Sequence, residues 1–312
     1  MGSIWSQTCS IGRRPPLRGH LKTQAAVVGA GMAGVLTAYA LQQAGLSVVV
    51  LEAGRIAGGQ TQNTTAKITS QHGLIYSRLI QSFGEETARR YAKANQDAVR
   101  AYQDLIDVQG ISCDWEERCA YLYGPDVTVL QEEAEAARRL GLPASFTREV
   151  SIPIPHDGAV CFEGQAQFHP LKFLKVLADQ LTIYEQSRVL TAEGDLLTTE
   201  LGSVQAEHIV FACHFPFVNF PGMYFARMHQ ERSYVLALQG APPVDGMFLG
   251  VGRDTFSLRT YGELLLLGGG GHRTGENTEG GRYDLLRRKA REWFPQSQET
   301  AHWSAQDCMP PD

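Results

Sequence analysis

The chain has 312 residues, 43% of them apolar and 20% charged, with 32 glycines and a formal net charge of −5. That length holds two domains with a sizeable core, and the composition excludes a disordered or fibrous chain. The acidic balance leaves no basic field for nucleic acid, and apolar runs such as 25–28 and 264–267 fall far short of the ~20 residues of a membrane span.

In chain order, residues 1–23 mix Ser, Arg, Pro and Gly without a period, which predicts an arm against the domain or a loose leader. With Arg13, Arg14 and Arg18 and no apolar core, this start does not read as a secretory signal. Residues 25–28 predict a buried strand that turns through Gly29-Ala30-Gly31-Met32-Ala33-Gly34 into an apolar helix ended by Gly45. Residues 47–51 predict a strand covered on both faces, with Glu52 at its C-terminal end. The Gly-, Gln-, Thr- and Ser-rich stretch 58–73 suits a polar ligand loop.

A helix is predicted over 84–108, with Tyr91, Ala98 and Leu105 on one side and Arg89 and Lys93 on the other. A strand at 120–123, an exposed helix at 127–140 and a helix from Pro170 to Leu181 follow. Short strands at 183–185, 188–190, 196–199, 203–206 and 209–212 form a meander returning to the sheet. The last third predicts strands at 233–238, 247–251, 255–259 and 264–267, then a helix at 283–294. Six cysteines (Cys9, Cys113, Cys119, Cys161, Cys213, Cys308) show no CxxC pair or metal-site spacing, so no metal is expected and the compartment reads as the reducing cytoplasm.

The chemistry lies in the glycine turn. A lone GxGxxG is weak, but this one joins a strand to a helix, and Glu52 closes the next strand 21 residues after Gly31. Gly29 permits the tight turn, Gly31 lets backbone approach a pyrophosphate, and Gly34 allows close helix–strand packing. The helix N-terminus, with Met32 and Ala33 in its first turn, favours bound phosphates. Glu52 is placed to accept hydrogen bonds from ribose hydroxyls. NAD and FAD share this fingerprint. Its position near the N-terminus, the second glycine-rich stretch with Ala53, Arg55, Gly59 and Thr61, and the later strand 209–212 ending at Ala212 point to FAD.

Further phrases give the chain a family likeness: Asn63-Thr64-Thr65-Ala66-Lys67-Ile68-Thr69-Ser70-Gln71-His72-Gly73, Gln167-Phe168-His169-Pro170-Leu171, Gln230-Glu231-Arg232-Ser233-Tyr234 and Gly268-Gly269-Gly270-Gly271-His272-Arg273. With these, the chain resembles the D-amino-acid-oxidase-like family of FAD-dependent amine oxidoreductases, nearest the bacterial branch that often carries a C-terminal Rieske domain. The resemblance implies an α/β fold (α+β overall): a Rossmann-like FAD-binding domain at 1–80 and 161–222, interleaved with a mixed-sheet substrate domain at 81–160 and 223–312. It also implies oxidation of a C–N bond of an amine or amino acid by hydride transfer to flavin, with oxygen or a redox partner as acceptor. Thr65, Ala66, Lys67 and Val189 join the residues expected at the cofactor.

The catalytic candidates each carry an alternative. Lys67 is a cation beside the flavin or an exposed lysine at a helix start. Arg259 and Tyr261 form a carboxylate-binding pair or a surface salt bridge, and Arg232 with Tyr234 is a second such pair. His272 follows four glycines, which suits approach to a planar ring or a simple turn. His72 contacts ligand or backbone. No Ser-His-Asp or Cys-His pattern points to a hydrolase, and no paired Cys/His set for a Rieske centre occurs in these residues. Chains of the family continue past the final phrase, Cys308 to Asp312, with a strand, a Gly-rich loop and a helix. The competing expectation is therefore a truncated, non-catalytic flavoprotein-like fragment or interaction module; an NAD-linked dehydrogenase is a third.

Overall fold

The computed structural model describes residues 2–252, 255–275 and 281–309. Residues 310–312, part of the phrase on which the fragment expectation rests, lie outside the described residues. The elements run α1 (Ile4–Thr8), β1 (Gly19–Val28), α2 (Met32–Gln43), β2 (Val48–Leu51), β3 (Lys67–Ile68), α3 (Tyr76–Gln109), β4 (Glu116–Gly124), α4 (Val127–Arg139), β5 (Ala144–Thr147) and β6 (Gly158–Gln167). They continue with α5 (Pro170–Ala178), β7 (Thr182–Tyr184), β8 (Thr191–Glu193), β9 (Leu196–Thr198), β10 (Gly202–Phe211), α6 (Tyr224–Arg227), β11 (His229–Gln239), β12 (Met247–Gly250), β13 (Phe256–Tyr261), β14 (Leu264–Arg273), α7 (Tyr283–Trp293) and β15 (Gln298–Met309).

Two sheets organise the chain. The first has the order β7-β2-β1-β10-β9-β8, and its first four strands are parallel. Val27 of β1 lies between Val50 of β2 and Val210 of β10. The apolar runs in β1 and β2 follow from coverage on both faces; Ala25, Ala26, Val27 and Val50 have no exposed surface. Beside it lies a nine-stranded mixed sheet, β15-β11-β14-β13-β12-β4-β6-β3, with β5 on the flank of β6. This is the mixed α/β architecture expected. β6 runs through the expected domain boundary at 161 and, among the described residues, pairs only with β3, β4 and β5 of the second sheet.

The predicted helix over 84–108 is the C-terminal part of α3, which kinks at Gly84 (φ +78). At its start the Glu133 carboxylate, wholly buried on α4, accepts from the N–H groups of Ile75, Tyr76 and Ser77, satisfying donors that a helix N-terminus leaves free. Pro170 sits in the first turn of α5, with the His169 side chain accepting from Lys172 N at 3.2 Å.

Several expectations need correction. Residues 203–206 and 209–212 are one strand, β10, since Glu207 and His208 interrupt only its surface polarity and not its pairing with β1. Residues 188–190 are not a strand; Val189 instead packs under β1 and β2. β5, β6 and β15 carry no strand prediction. Residues 2–23 follow the first of their two expectations, an arm against the domain: Trp5 has no exposed surface, Leu17 is buried, and β1 already starts at Gly19.

Candidate active site

The ends of three strands converge on the glycine turn. Gly29 N donates to Leu51 O at 2.8 Å, and Ala212 N donates to Val28 O at 2.8 Å. Gly29 has φ +105, and a Cβ there would stand 2.5 Å from Ala212 O. A Cβ on Gly34 would stand 1.9 Å from Gly29 O. The sequence thus brings backbone against backbone where only glycine fits. Gly31 caps α2 without a side-chain bond, and Thr61 Oγ1 accepts from Met32 N at 2.9 Å.

Glu52 is fixed by two backbone donors, Ala30 N to Oε2 at 2.7 Å and Gly54 N to Oε1 at 2.8 Å. Each oxygen keeps acceptor capacity. The carboxylate borders a cavity of about 770 Å³, whose wall includes Gly29, Gly31, Ala53, Gly59, Val189 and Ala212. A second cavity of about 360 Å³ includes Met32, Thr61, Thr65, Ala66 and Lys67 in its wall. The two adjoin around the start of α2: Gly31 and Gly59 border the first, Met32 and Gln60 the second.

This geometry fits a two-part dinucleotide. A helix start built of close-packed glycines and a carboxylate with free lone pairs meet the phosphate and ribose needs of the ADP half. The adjoining cavity is polar on the Thr61–Lys67 side and apolar at Phe168 and Val235, as a flat ring with polar edges requires.

Lys67 donates to Phe248 O at 3.1 Å. Burial first, then the nearby Arg259 charge, lowers its pKa from the ordinary 10.5 to about 7. Unfolded, this lysine keeps its proton up to about 10.5, so between about 7 and that value the unfolded chain binds more protons and stability rises with pH. Lys67→Met removes this rise. The urea midpoint of the natural chain, measured relative to the variant, is expected to climb between pH 7 and 9.5; a flat difference contradicts the desolvation of this lysine in the folded chain.

The remaining expected residues are distributed as follows. Ala33 is exposed in the first turn of α2, and Gly34 lies beneath it against the turn. Arg55 is engaged by Glu185 and by Ile11 O at 2.8 Å, outside the walls of both cavities. Arg259 is buried, its Nη1 donating to Thr65 O at 2.8 Å and to Ala66 O, so its guanidinium faces the loop behind the second cavity. Tyr261 donates to Asp114 Oδ2 at 2.6 Å and borders a separate hollow of about 390 Å³ beside Ile4 and Thr8. His272 stacks on Tyr234, ring centroids 5.8 Å apart, and borders neither cavity. Arg232 bonds Ser304 and Gln306, and His72 bonds Asn95 at 3.1 Å. Of the four catalytic candidates, the structure brings only Lys67 to a cavity wall shared with the expected cofactor residues.

Sequence reasoning missed several residues here. Tyr102 and Asp307 border the second cavity, with the Asp307 carboxyl raised above its usual range by burial. Trp5 and Trp303 stand behind the loop, donating to Thr64 O and Asn63 O. No local motif marks any of the four.

Comparison with known proteins agrees with this architecture. The DAO family model, FAD dependent oxidoreductase, matches residues 24–312. The chain belongs to the DAO family of FAD-dependent oxidoreductases, and membership implies FAD as cofactor. It is 33% identical to YhfW of Bacillus subtilis, provisionally described as a Rieske 2Fe-2S iron-sulfur protein, over 98% of this chain and 64% of that one. It is 26% identical to gamma-glutamylputrescine oxidoreductase of Escherichia coli over 60% of this chain and 47% of that one. The chain thus spans less than two thirds of these curated relatives. Among solved structures, glycine oxidase from Geobacillus kaustophilus superposes with a TM-score of 0.69 at 18% identity, covering 93% of this chain and 84% of that one. L-amino acid deaminase from Proteus myxofaciens gives 0.74 at 15% identity, covering 100% and 85%; both likenesses concern the fold.

Proposed function

We propose that this chain holds FAD across the two adjoining cavities and oxidises a C–N bond of an amine or amino acid. The observation that carries the reading is the junction of the cavities at the start of α2, with Glu52 bordering one and Lys67 the other. Gly29, Gly31, Met32, Ala33, Gly34, Glu52, Ala53, Gly59, Val189 and Ala212 serve the ADP half, and Thr61, Thr65, Ala66 and Lys67 the ring half. FAD, when bound, supplies the oxidant that takes hydride from a carbon beside an amine nitrogen.

The chain's own residues supply position and charge. Glu52, fixed by two backbone donors, orients the ribose. Lys67, brought to a pKa of about 7 by burial, takes up a proton as negative charge develops in the second cavity and then stabilises that charge. The segments 1–80 and 161–222 form the cofactor-binding domain and 81–160 and 223–312 the substrate domain, with β6 paired into the second sheet. Oxygen or a redox partner takes the electrons onward. A reducing, cytoplasmic setting belongs to the same reading, because all six cysteines stand free; no helix among the described residues is long and apolar enough to cross a membrane.

The test is anaerobic titration of the FAD-loaded chain with a panel of amino acids and secondary amines. Bleaching of the visible flavin band by at least one panel member is expected. A loaded chain that no member bleaches contradicts the proposal.

A further inference from the structure

Four successive carbonyls of the second cavity's wall are held from behind by side chains remote in sequence. Trp303 Nε1, on β15, donates to Asn63 O at 2.9 Å. Trp5 Nε1, on α1, donates to Thr64 O at 2.8 Å. Arg259 Nη1, on β13, donates to Thr65 O at 2.8 Å and to Ala66 O. In an extended strand successive carbonyls alternate in direction; here a left-handed Ala66 (φ +57) helps turn them all toward the protein interior.

Two of the three donors also support one another. Trp5 and Arg259 are almost fully buried, and the Arg259 guanidinium lies 5.3 Å from the Trp5 ring centroid, within cation–π range. Trp5 is anchored through the N-terminal segment, in which Leu17 N donates to Ser187 Oγ at 2.8 Å and Thr8 Oγ1 pairs with His169 Nε2 at 2.9 Å. Residues 63–67 all border the second cavity. The Thr64 N–H closes the 3-10 turn Thr61–Asn63, whereas the Thr65 N–H makes no hydrogen bond among the described residues. Thr65 is half-buried at the cavity wall, and a backbone N–H without a partner there calls for an acceptor.

We infer that Trp5, Trp303 and Arg259 are positioning residues: by holding the carbonyls of residues 63–66 they present the Thr65 N–H group to an acceptor-edged ring in the second cavity. The inference rests on the proposed placement of FAD for the identity of that ring, and on this chain's geometry alone for the clamp.

Trp5→Phe and Trp303→Phe keep an aromatic ring in each site and remove the donor, so the fold is retained. Amide hydrogen exchange of the cofactor-free protein is the first arm. Residues 60–68 are expected to exchange about fivefold faster in each variant, the equivalent of one net hydrogen bond of ~1 kcal/mol, while 25–51 remain as in the natural chain. Unchanged exchange at 60–68, or an equal rise across both segments, overturns the clamp. The second arm titrates FAD and ADP separately. FAD affinity is expected to fall about five- to tenfold in each variant with ADP affinity unchanged, and unchanged FAD affinity overturns the positioning role. A natural chain that binds ADP but not FAD counts against the proposed function, and the exchange arm then still decides the clamp.

Discussion

Gly34→Ala is expected to abolish measurable FAD binding and to lower the thermal midpoint of the cofactor-free chain by several degrees. The added Cβ would lie 1.9 Å from the carbonyl oxygen of Gly29 and 2.9 Å from its carbon. Both are backbone atoms of the turn that borders the ADP cavity, so neither can swing aside like a side chain. The helix start must move away from the turn, and the phosphate-facing N–H groups move with it. Overpacking of a close contact costs ~1–3 kcal/mol, and a backbone contact this short lies at the upper end. Gly59→Ala is the control: a Cβ there meets nothing within 4 Å, so its thermal midpoint stays at the natural value. Thermal unfolding and FAD titration of the two variants side by side check both halves of this expectation. Equal midpoints in Gly34→Ala and Gly59→Ala would mean that α2 does not pack on the turn as described.

Glu52→Ala is expected to weaken both ADP and FAD by about 10- to 100-fold while leaving the fold intact. Its carboxylate takes N–H groups from Ala30 and Gly54 at 2.7 and 2.8 Å, and its remaining lone pairs border the ADP cavity. A hydrogen bond to a charged group is worth ~1.5–3 kcal/mol, so losing the ribose contact alone accounts for that range. Glu52→Gln is not a neutral replacement, because its amide NH2 would face one of the two backbone donors. Calorimetric titration with ADP, which needs only the first cavity, measures the loss. Natural affinity in Glu52→Ala would move the ribose elsewhere.

The sequence makes the ADP side of this site legible because its parts are local. Gly29, Gly31 and Gly34 lie in one turn, and Glu52 ends the next strand; spacing alone carries that geometry. The second cavity is only half legible. Thr61, Thr65, Ala66 and Lys67 stand in one polar loop, but the side chains that hold the loop come from α1, β13 and β15, 59 to 240 residues away along the chain. No period or spacing links Trp5 to Thr64. For the same reason the sequence leaves open whether the N-terminal segment docks; its Trp5 and Leu17 are buried by tertiary contacts in a stretch rich in Arg and Pro.

Strand prediction failed where alternation is weak. β15 mixes polar and charged residues because it lies at an edge of the second sheet. β6 carries no clear strand signal although five successive residues at its start, from Gly158, are buried; Gly164 and Gln165 break its apolar pattern. Arg259 shows the reverse problem. Its residue type suits a carboxylate fork, yet β13 buries it beneath the loop, where two carbonyls take its Nη1. Residue type named the chemistry it could do, and the sheet decided which partner it met.

Competition between ADP and FAD for the intact chain tests the central claim most directly. If one FAD spans the two adjoining cavities, FAD binds one to one, ADP displaces it, and FAD binds more tightly than ADP by the contribution of the second cavity. FAD that does not bind, or that stays bound against saturating ADP, would contradict the account.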